Sequence, residues 1–291
     1  MLEIVDSHLH LWDPASLVPP WLGKAPQLLR RFDFDDWRGA AGIGDGWCLK
    51  RAVYVEIDAA PADRARENEL VFTLARKPAS PIAGVVIAAD LSRSDIEADL
   101  ASWLGEPRLK GVRHVLHMPA SPRGACLAPD FLANMLVLGR LGLTFDACMR
   151  RDELGDLARL AHACQETTIV LDHAGNPGEA LFSAGLSAPE LQEWRSGIEA
   201  LARCRNVSCK ISGFPVPAAA EPERIRAGID FCLDAFGEDR VMFASNYPVC
   251  ELGIPFRPWL DLLLETTRRR PARFLEKLFG ANAVRLYRLD P

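Results

Sequence analysis

Short apolar runs rich in β-branched residues alternate along the chain with longer amphipathic segments. The short runs predict β-strands of a parallel sheet, because a strand buried on both faces is a nearly continuous hydrophobic segment. We place eight strands at residues 2–8, 51–57, 82–88, 111–116, 144–149, 168–173, 207–211 and 240–244.

The longer segments repeat apolar residues at helical spacing. They predict helices over residues 62–76, 94–104, 152–165, 189–203 and 222–236, and two terminal helices over 258–270 and 272–289. Strands that alternate with such helices indicate βαβ units, and eight units in 291 residues favour an α/β fold with one (β/α)8 TIM barrel domain over residues 1–291. An open Rossmann sheet is disfavoured, because no Gly-rich phosphate loop follows the first strand.

One long segment, residues 11–46, separates the first two strands and breaks this rhythm. It contains Trp12, Trp21 and Trp37 and several prolines. Loops of this length are often functional, and tryptophans favour ordered packing. We therefore predict a lid that covers part of a pocket at the C-terminal end of the barrel.

Composition narrows the partners and the compartment. The formal net charge is −5 and the longest basic run is Arg268-Arg269-Arg270, next to a predicted helix end, which argues against nucleic acid as a partner. We identify no N-terminal signal peptide and no apolar run near the ~20 residues of a membrane helix. The eight cysteines contain no CxxC pair and are expected to be reduced, with Cys148, Cys209 and Cys232 in the core. We expect a cytoplasmic protein that binds a small molecule and no membrane, with a homo-oligomer left open.

The first strand ends in two histidines, His8 and His10. Side chains alternate along a strand, so Asp6, His8 and His10 are predicted to face one way and Val5 and Leu9 the other. Two imidazoles placed like this can share one ligand: a metal ion, a water molecule or a carbonyl oxygen. For Asp6 we expect a supporting role, orienting one of the histidines from the layer below.

Polar side chains also stand at the ends of the other predicted strands, where TIM barrels carry their chemistry. They are Tyr54, Glu56, Asp90, Arg113, Asp146, Cys148, Arg150, Asp172, His173, Lys210, Ser212, Ser245 and Asn246. Buried charges are costly unless they are paired, so this recurrence predicts a polar site. Arg113 and His114 alternate, and we expect Arg113 to face the barrel. Asp172 is expected to accept a hydrogen bond in its loop, and His162 to be a packing or surface residue of a helix.

Six segments in this order resemble one known family. They are Val5-Asp6-Ser7-His8-Leu9-His10-Leu11-Trp12, Lys110-Gly111-Val112-Arg113-His114, Leu171-Asp172-His173-Ala174-Gly175, Lys210-Ile211-Ser212-Gly213, Met242-Phe243-Ala244-Ser245-Asn246-Tyr247-Pro248-Val249 and Gly280-Ala281-Asn282-Ala283-Val284-Arg285-Leu286-Tyr287. The chain resembles the amidohydrolase superfamily, in the branch of 2-pyrone-4,6-dicarboxylate lactonase, L-fuconolactonase and L-rhamnonolactonase. The resemblance implies a distorted barrel that hydrolyses a carbonyl-containing substrate.

The resemblance also implies roles for single residues. In the superfamily the strand-one histidines and an Asp after strand eight commonly hold a divalent metal, with a strand-six histidine nearby; here the histidines are His8, His10 and His173. In the lactonase branch the metal can be dispensable, and histidines and basic residues polarise the lactone carbonyl while the Asp activates water. We therefore expect either no required cofactor or one weakly bound zinc or manganese.

The sequence departs from this family at Asn246, where the hydrolases have Asp. An amide does not accept a proton near neutral pH and is a poorer metal ligand than a carboxylate. By strand position, Glu56 and Asp146 are the nearest carboxylates that could replace it. Asn246→Asp is expected to raise lactone hydrolysis or metal affinity at least about tenfold over wild type, because it restores a carboxylate.

The favoured function is that of a lactonase-like hydrolase acting on a small anionic or sugar-derived lactone. The predicted catalytic residues are His8, His10, His173, Asn246, Glu56 and Asp146, and the predicted substrate-binding residues are Arg113, Arg150, Arg151, Lys210 and Tyr54. Arginine suits such a substrate because its planar head pairs with carboxylates. Two alternatives stay open: a metal-dependent decarboxylase of the same superfamily, and a barrel that binds a ligand without catalysis.

Overall fold

The computed structural model describes residues 1–42, 44, 46–214 and 222–290. Eight parallel strands, hydrogen-bonded in sequence order, form a nearly closed barrel, which confirms the predicted fold. They are β1 (Leu2–Leu9), β2 (Trp47–Val55), β3 (Ile82–Ala88), β4 (Leu109–Val115), β5 (Thr144–Cys148), β6 (Ile169–Leu171), β7 (Val207–Ile211) and β8 (Val241–Phe243). The second strand begins four residues before its predicted start, at Trp47 rather than 51, because the end of the lid segment already pairs with β1.

The helices surround this barrel. They are α1 (Phe34–Ala41), α2 (Arg64–Arg76), α3 (Ile96–Leu100), α4 (Pro129–Leu141), α5 (Leu154–Ala163), α6 (Ala180–Ser183), α7 (Gln192–Arg203), α8 (Pro222–Phe236), α9 (Phe256–Thr267), α10 (Ala272–Glu276) and α11 (Asn282–Leu286). One of these helices, α4, was not predicted; it buries Phe131, Met135 and Leu138 at helical spacing. The predicted last helix is divided by a wider π-helical turn, Lys277–Ala281.

Hydrogen bonds close the seam between β1 and β8. Ser7 Oγ donates to the Phe243 carbonyl oxygen at 2.6 Å, and the main-chain N–H of Asn246 donates to the His8 carbonyl oxygen at 3.0 Å. The buried Asp6 carboxylate accepts hydrogen bonds from the main-chain N–H groups of His8 and Ser245 and from the Trp37 indole. Asp6 therefore supports His8 through its main chain, and no contact between Asp6 and an imidazole is seen among the described residues.

A bulge in β1 changes which side chains face the interior. Asp6 pairs with Ala52 and Leu9 pairs with Tyr54, so β1 uses one residue more than β2 over this interval. A bulge of this kind reverses the alternation of side chains. Val5 consequently joins Val53, Val86 and other interior residues, contrary to the prediction that it faces away from the barrel.

The C-terminal segment fills the N-terminal end of the barrel. Tyr287 and Leu289 pack among interior valines from β1, β2, β3 and β6, and Met242 from β8 joins the same cluster. The Tyr287 hydroxyl donates to Asp146 Oδ2 at 2.6 Å. Because the C-terminal segment fills this end of the barrel, the candidate active site lies at the opposite end, where the strands terminate in polar residues.

The segment between β1 and β2 is ordered in its described part, and residues 43 and 45 lie outside the described residues. It contains α1, whose first turn is closed by a capping box between Asp33 and Asp36. Only one of the three predicted lid tryptophans lines the cavity at the C-terminal end, and this is Trp21, whose indole donates to the Ile57 carbonyl oxygen at 2.7 Å. Trp12 stacks edge-on against Trp21, whereas Trp37 is buried beside Asp6.

The cysteines and helices agree with the compositional expectations as far as the structure tests them. Cys148, Cys209 and Cys232 are buried, and all eight cysteines are free thiols. Within the described part of the chain, every helix is too short or too polar to cross a membrane.

Candidate active site

A cavity of about 320 Å³ opens at the C-terminal ends of the strands. Four of the predicted site residues line it: His10, Arg113, His173 and Asn246. The other described lining residues include Trp21, Asp58, His117, Cys148 and Asn176, none of which was predicted as a catalytic or substrate-binding residue. The barrel therefore brings the ends of β1, β2, β4, β5, β6 and β8 to one polar cavity, as the strand-end pattern predicts.

His8 and His10 form a directed hydrogen-bond chain below and beside this cavity. His10 Nδ1 lies 2.7 Å from the Val55 carbonyl oxygen, which can only accept, so His10 carries its proton on Nδ1. His8 Nδ1 lies 3.1 Å from Lys210 Nζ, which can only donate, so the neutral His8 carries its proton on Nε2. His8 Nε2 then donates to His10 Nε2 over 3.1 Å.

Both imidazoles are neutral at pH 7. Burial, followed by the charge of Lys210, holds the pKa of His8 well below its usual range. Burial, followed by the charge of Arg113, lowers the pKa of His10 to about 3. The hydrogen-bond chain that runs from Lys210 through His8 and His10 to the Val55 carbonyl oxygen therefore forms with both histidines neutral.

His173 reaches the cavity through an unusual backbone. Residues His173, Ala174, Gly175 and Asn176 all have left-handed φ values of 55°, 48°, 69° and 54°. Such values cost a side-chain-bearing residue roughly 1–2 kcal/mol each and are concentrated at functional sites. His173 Nδ1 lies 2.9 Å from Ser212 Oγ, its ring centre lies 4.6 Å from that of His8, and burial lowers its pKa to about 4.

The same left-handed turn corrects the prediction for Asp172. In a regular strand Asp172 and His173 would face opposite sides, but here both are buried at the site. The Asp172 carboxylate lies 3.0 Å from Lys210 Nζ, 3.3 Å from His8 Nδ1 and 3.7 Å from Arg113 Nη1. Burial raises the pKa of Asp172, but the charge of Lys210 outweighs this and holds it well below the usual value. Asp172 is therefore part of a buried charge cluster rather than a hydrogen-bond acceptor in the loop.

Lys210 and Asp146 lie beneath the cavity. Both side chains are fully buried, and Lys210 Nζ donates to Asp146 Oδ2 at 2.6 Å. With His8 and Asp172 as its other neighbours, Lys210 has three partners and does not appear among the described residues that line the cavity. Burial is the main cause of the raised pKa of Asp146. The structure thus places these two predicted site residues at the core of the barrel.

Arg113 links the cavity to Glu56. Its Nε donates to Glu56 Oε1, and its Nη2 donates to the Glu56 carbonyl oxygen at 2.6 Å. The second Glu56 oxygen accepts the main-chain N–H of Asp58 at 2.6 Å. The remaining Arg113 Nη1 lies 3.5 Å from His8 Nε2, and the side chain contributes to the cavity wall. As expected, His114 points outward, where its ring stacks on Phe131.

The other three predicted substrate-binding residues do not line the cavity among the residues described. The Tyr54 hydroxyl donates to the buried Glu67 at 2.9 Å. Arg150 is bound to Glu153 and to the carbonyl oxygens of Met118 and Ser121. Arg151 is exposed.

Two titratable lining residues, Asp58 and His117, were not predicted as site residues, although each directly follows its predicted strand. Asp58 follows β2 and His117 follows β4. His117 Nδ1 lies 3.1 Å from Cys148 Sγ, which places that thiol in the cavity wall as well as in the core. The sequence did contain a signal for both residues. Asp58 lies two residues after Glu56, and His117 lies four residues after Arg113.

One group of described side chains has the composition of a metal site. His8, Asp172 and His173 each offer a ligand atom, and these atoms lie within 4.8 Å of one another. The group contains Asp172 where we predicted His10, because His8 directs Nδ1 toward Asp172 and Nε2 toward His10. Nitrogen and carboxylate ligands suit zinc.

Comparison with known proteins gives a consistent family. A model of the family described as Amidohydrolase matches residues 5–289. The L-fucono-1,5-lactonase of Burkholderia multivorans is 30% identical over 98% of this chain and 96% of its own length. Amidohydrolase 2 from Bifidobacterium longum subsp. infantis is 31% identical, covers 100% of both chains and has a TM-score of 0.77. A zinc-bound amidohydrolase from Burkholderia multivorans is 29% identical, covers 99% of both chains and has a TM-score of 0.84. The chain belongs to the amidohydrolase family, in the branch that includes lactone hydrolases.

Proposed function

We propose that this protein is a lactonase that opens a small sugar-derived or anionic lactone by attack of water on the ring carbonyl. The observation that carries this proposal is the cavity in which Arg113, His10, His173 and Asn246 meet, in a chain that matches a lactonase over nearly its whole length. The proposed partner is a small molecule, without nucleic acid or membrane.

The cavity supplies groups that stabilise charge on a carbonyl oxygen. Arg113 keeps Nη1 free of Glu56 and carries a positive charge on the cavity wall. Asn246 adds an amide N–H₂, a hydrogen-bond donor that needs no ionisation. Preorganised donors of this kind in a water-poor site are the largest contribution in many acyl-transfer enzymes. His8 and His10 are hydrogen-bonded to each other through their Nε2 atoms. We therefore assign them the role of positioning these groups.

A metal ion fits the donor types but not the local charge. Both Asp172 oxygens are buried without a well-aligned hydrogen bond among the described residues, as a metal ligand would be. However, Lys210 Nζ already lies 3.0 Å from Asp172 Oδ1 and 3.1 Å from His8 Nδ1. A divalent ion held by those atoms would face this ammonium group and Arg113, and like charges repel. We propose that any zinc or manganese binds weakly and is not required.

The metal proposal predicts substoichiometric occupancy. After dialysis against a chelator and then buffer, elemental analysis is expected to find well below one zinc or manganese per chain, with lactone hydrolysis retained. Lys210→Met removes the competing charge and is expected to raise zinc affinity in the fraction that folds. About one tightly held ion per wild-type chain, with activity lost on its removal, would contradict this proposal.

A lactone panel tests the function. We expect a pH-indicator assay to show proton release with sugar-derived or carboxylated lactones. His173→Ala is expected to lower kcat/KM by at least about 10²-fold, the usual effect of removing one group that stabilises charge on the carbonyl oxygen. The matched control is His162→Ala, since His162 lies on α5 beside Cys204 and away from the cavity. Binding without turnover would indicate a ligand-binding barrel instead, and carbon dioxide release from aromatic acids would indicate a decarboxylase.

A further inference from the structure

The proposed hydrolysis needs a base, and the two carboxylates expected from the sequence are already engaged. Glu56 binds Arg113 with one oxygen and the Asp58 N–H with the other. Asp146 lies fully buried beneath the cavity, bound to Lys210 and Tyr287. Neither lines the cavity among the described residues. Taking a proton would require Glu56 or Asp146 to give up a buried cation, which is costly.

One carboxylate does line the cavity. Among the described lining residues Asp58 is the only acidic one, and it shares the wall with His10, His117, His173 and Asn246. It is half-buried, and its side-chain oxygens accept no hydrogen bond from any residue that the structure describes. Asp58 thus has free lone pairs where a water molecule can bind.

The backbone holds Asp58 in a costly conformation. Its φ is 54°, in the left-handed region that non-glycine residues enter at a cost of roughly 1–3 kcal/mol. The 2.6 Å hydrogen bond from its N–H to Glu56 Oε2 stabilises this turn and ties it to the Glu56–Arg113 ion pair. The position of Asp58 is therefore set by the same pair that places Arg113 in the cavity wall.

The charge of Asp58 acts on the site. Burial and the charge of Arg113 lower the pKa of His117 below its usual value. The charge of Asp58 opposes this shift. Asn246, on the wall of the same cavity, also has a left-handed φ of 58°. An amide at the end of β8 and a carboxylate at the end of β2 together provide one donor and one base in the cavity.

We propose that Asp58 is the general base of the reaction, in place of the carboxylate that Asn246 lacks; this inference rests on the proposed lactonase function. The Asp58 carboxylate takes a proton from a water molecule as the water oxygen bonds to the lactone carbonyl carbon. The ring carbon–oxygen bond then breaks, and the leaving oxygen takes up the proton held by Asp58. The products are a hydroxy acid, which ionises at neutral pH, and the regenerated carboxylate.

A charge-relocation experiment tests this assignment. Asp58→Asn is expected to lower kcat by about 10²–10⁴-fold, the usual contribution of a general base, with KM changed by less than about threefold. Adding Asn246→Asp to that variant is expected to recover at least about tenfold, because it returns a carboxylate to the cavity. In the wild-type background Asn246→Asp is expected to lower kcat rather than to raise it tenfold as the sequence alone predicts, because a base is already present and the amide donor is lost.

The matched control is Asp90→Asn. Asp90 is also half-buried and lies just beyond its strand, β3, but it binds Ser92 and is absent from the described cavity lining. Asp90→Asn is expected to keep kcat within about threefold of wild type. Circular dichroism and thermal unfolding of each variant verify the fold.

Three results would overturn the assignment of Asp58 while leaving the lactonase function intact. They are an active wild type with unchanged kcat in Asp58→Asn, an effect confined to KM, and a double variant no faster than Asp58→Asn. A tenfold gain from Asn246→Asp in the wild-type background would be a fourth such result, because it would show that no base was present. A wild type that opens no lactone overturns the proposed function, and the role of Asp58 with it.

Discussion

Lys210→Met is expected to lower the free energy of unfolding by about 3–5 kcal/mol, the usual cost of removing one partner of a buried ion pair. Lys210 is fully buried between Asp146 and Asp172, at 2.6 and 3.0 Å. Methionine fills a similar volume but leaves two carboxylates without their shared cation. Urea unfolding followed by circular dichroism measures the change.

Lys50→Met is the matched control for the same chemical change. Lys50 pairs with Glu3 at 3.0 Å, but both side chains are more than half exposed. Exposed pairs contribute about 0–1 kcal/mol, so this variant is expected to unfold nearly as wild type does. If both substitutions lowered the free energy of unfolding by the same small amount, the buried cluster would not stabilise the fold. A loss confined to Lys210→Met would support its role as the central cation beneath the cavity.

Gly213→Ala is expected to lower kcat by about 10²-fold, because a displacement of about 1 Å at a catalytic group has that effect. A Cβ atom at Gly213 would lie 2.4 Å from His173 Cγ, too close for either group to stay in place. Ser212 and a left-handed backbone hold the His173 ring in its present position. Because the added Cβ atom would collide with the ring there, the ring is expected to turn away from the cavity. Steady-state kinetics on the lactone found by the panel measures the loss.

Gly142→Ala separates backbone strain from the displacement of His173. Gly142 ends α4 with a φ of 68°, close to the 66° of Gly213, but a Cβ atom there meets nothing within 4 Å. Both substitutions force alanine into the left-handed region and are expected to cost roughly 1–2 kcal/mol of stability. Only Gly213→Ala is expected to reduce activity. An equal loss of kcat in both variants would mean that strain, and not the position of His173, limits the reaction.

The arrangement of the cavity explains why strand-end residues were predictable and their partners were not. In a parallel barrel all the C-terminal strand ends meet at one rim, so a polar residue at such an end can be assigned to the site from sequence. From this reasoning we predicted His8, His10, Arg113, His173 and Asn246 as site residues, and all of them except the fully buried His8 line the described cavity. It also placed Lys210 and Asp146 at strand ends, but it carried no information on their depth. Their depth follows from ion pairing with each other, and the two residues are far apart in the sequence.

Left-handed backbone accounts for the residues that the sequence analysis misjudged. The period-two rule assumes a regular strand, and it assigns Asp172 and His173 to opposite faces. The turn at His173 brings both to the site, and the bulge in β1 turns Val5 into the barrel. Asp58, which was not predicted, also lies on a left-handed turn beyond the last residue of β2.

The sequence by itself determined the β/α rhythm, the barrel, the family and the ring of polar strand ends, because each depends on local periodicity or on short motifs. Only the tertiary structure decided which groups face the cavity and which are used as partners. Lys210 binds two carboxylates and His8 beneath the cavity, Glu56 binds Arg113, and the Asp58 side chain accepts no hydrogen bond from any described residue. The physical reason is that the ionisation and availability of a buried group depend on neighbours contributed by other strands, and a linear pattern does not contain those distances.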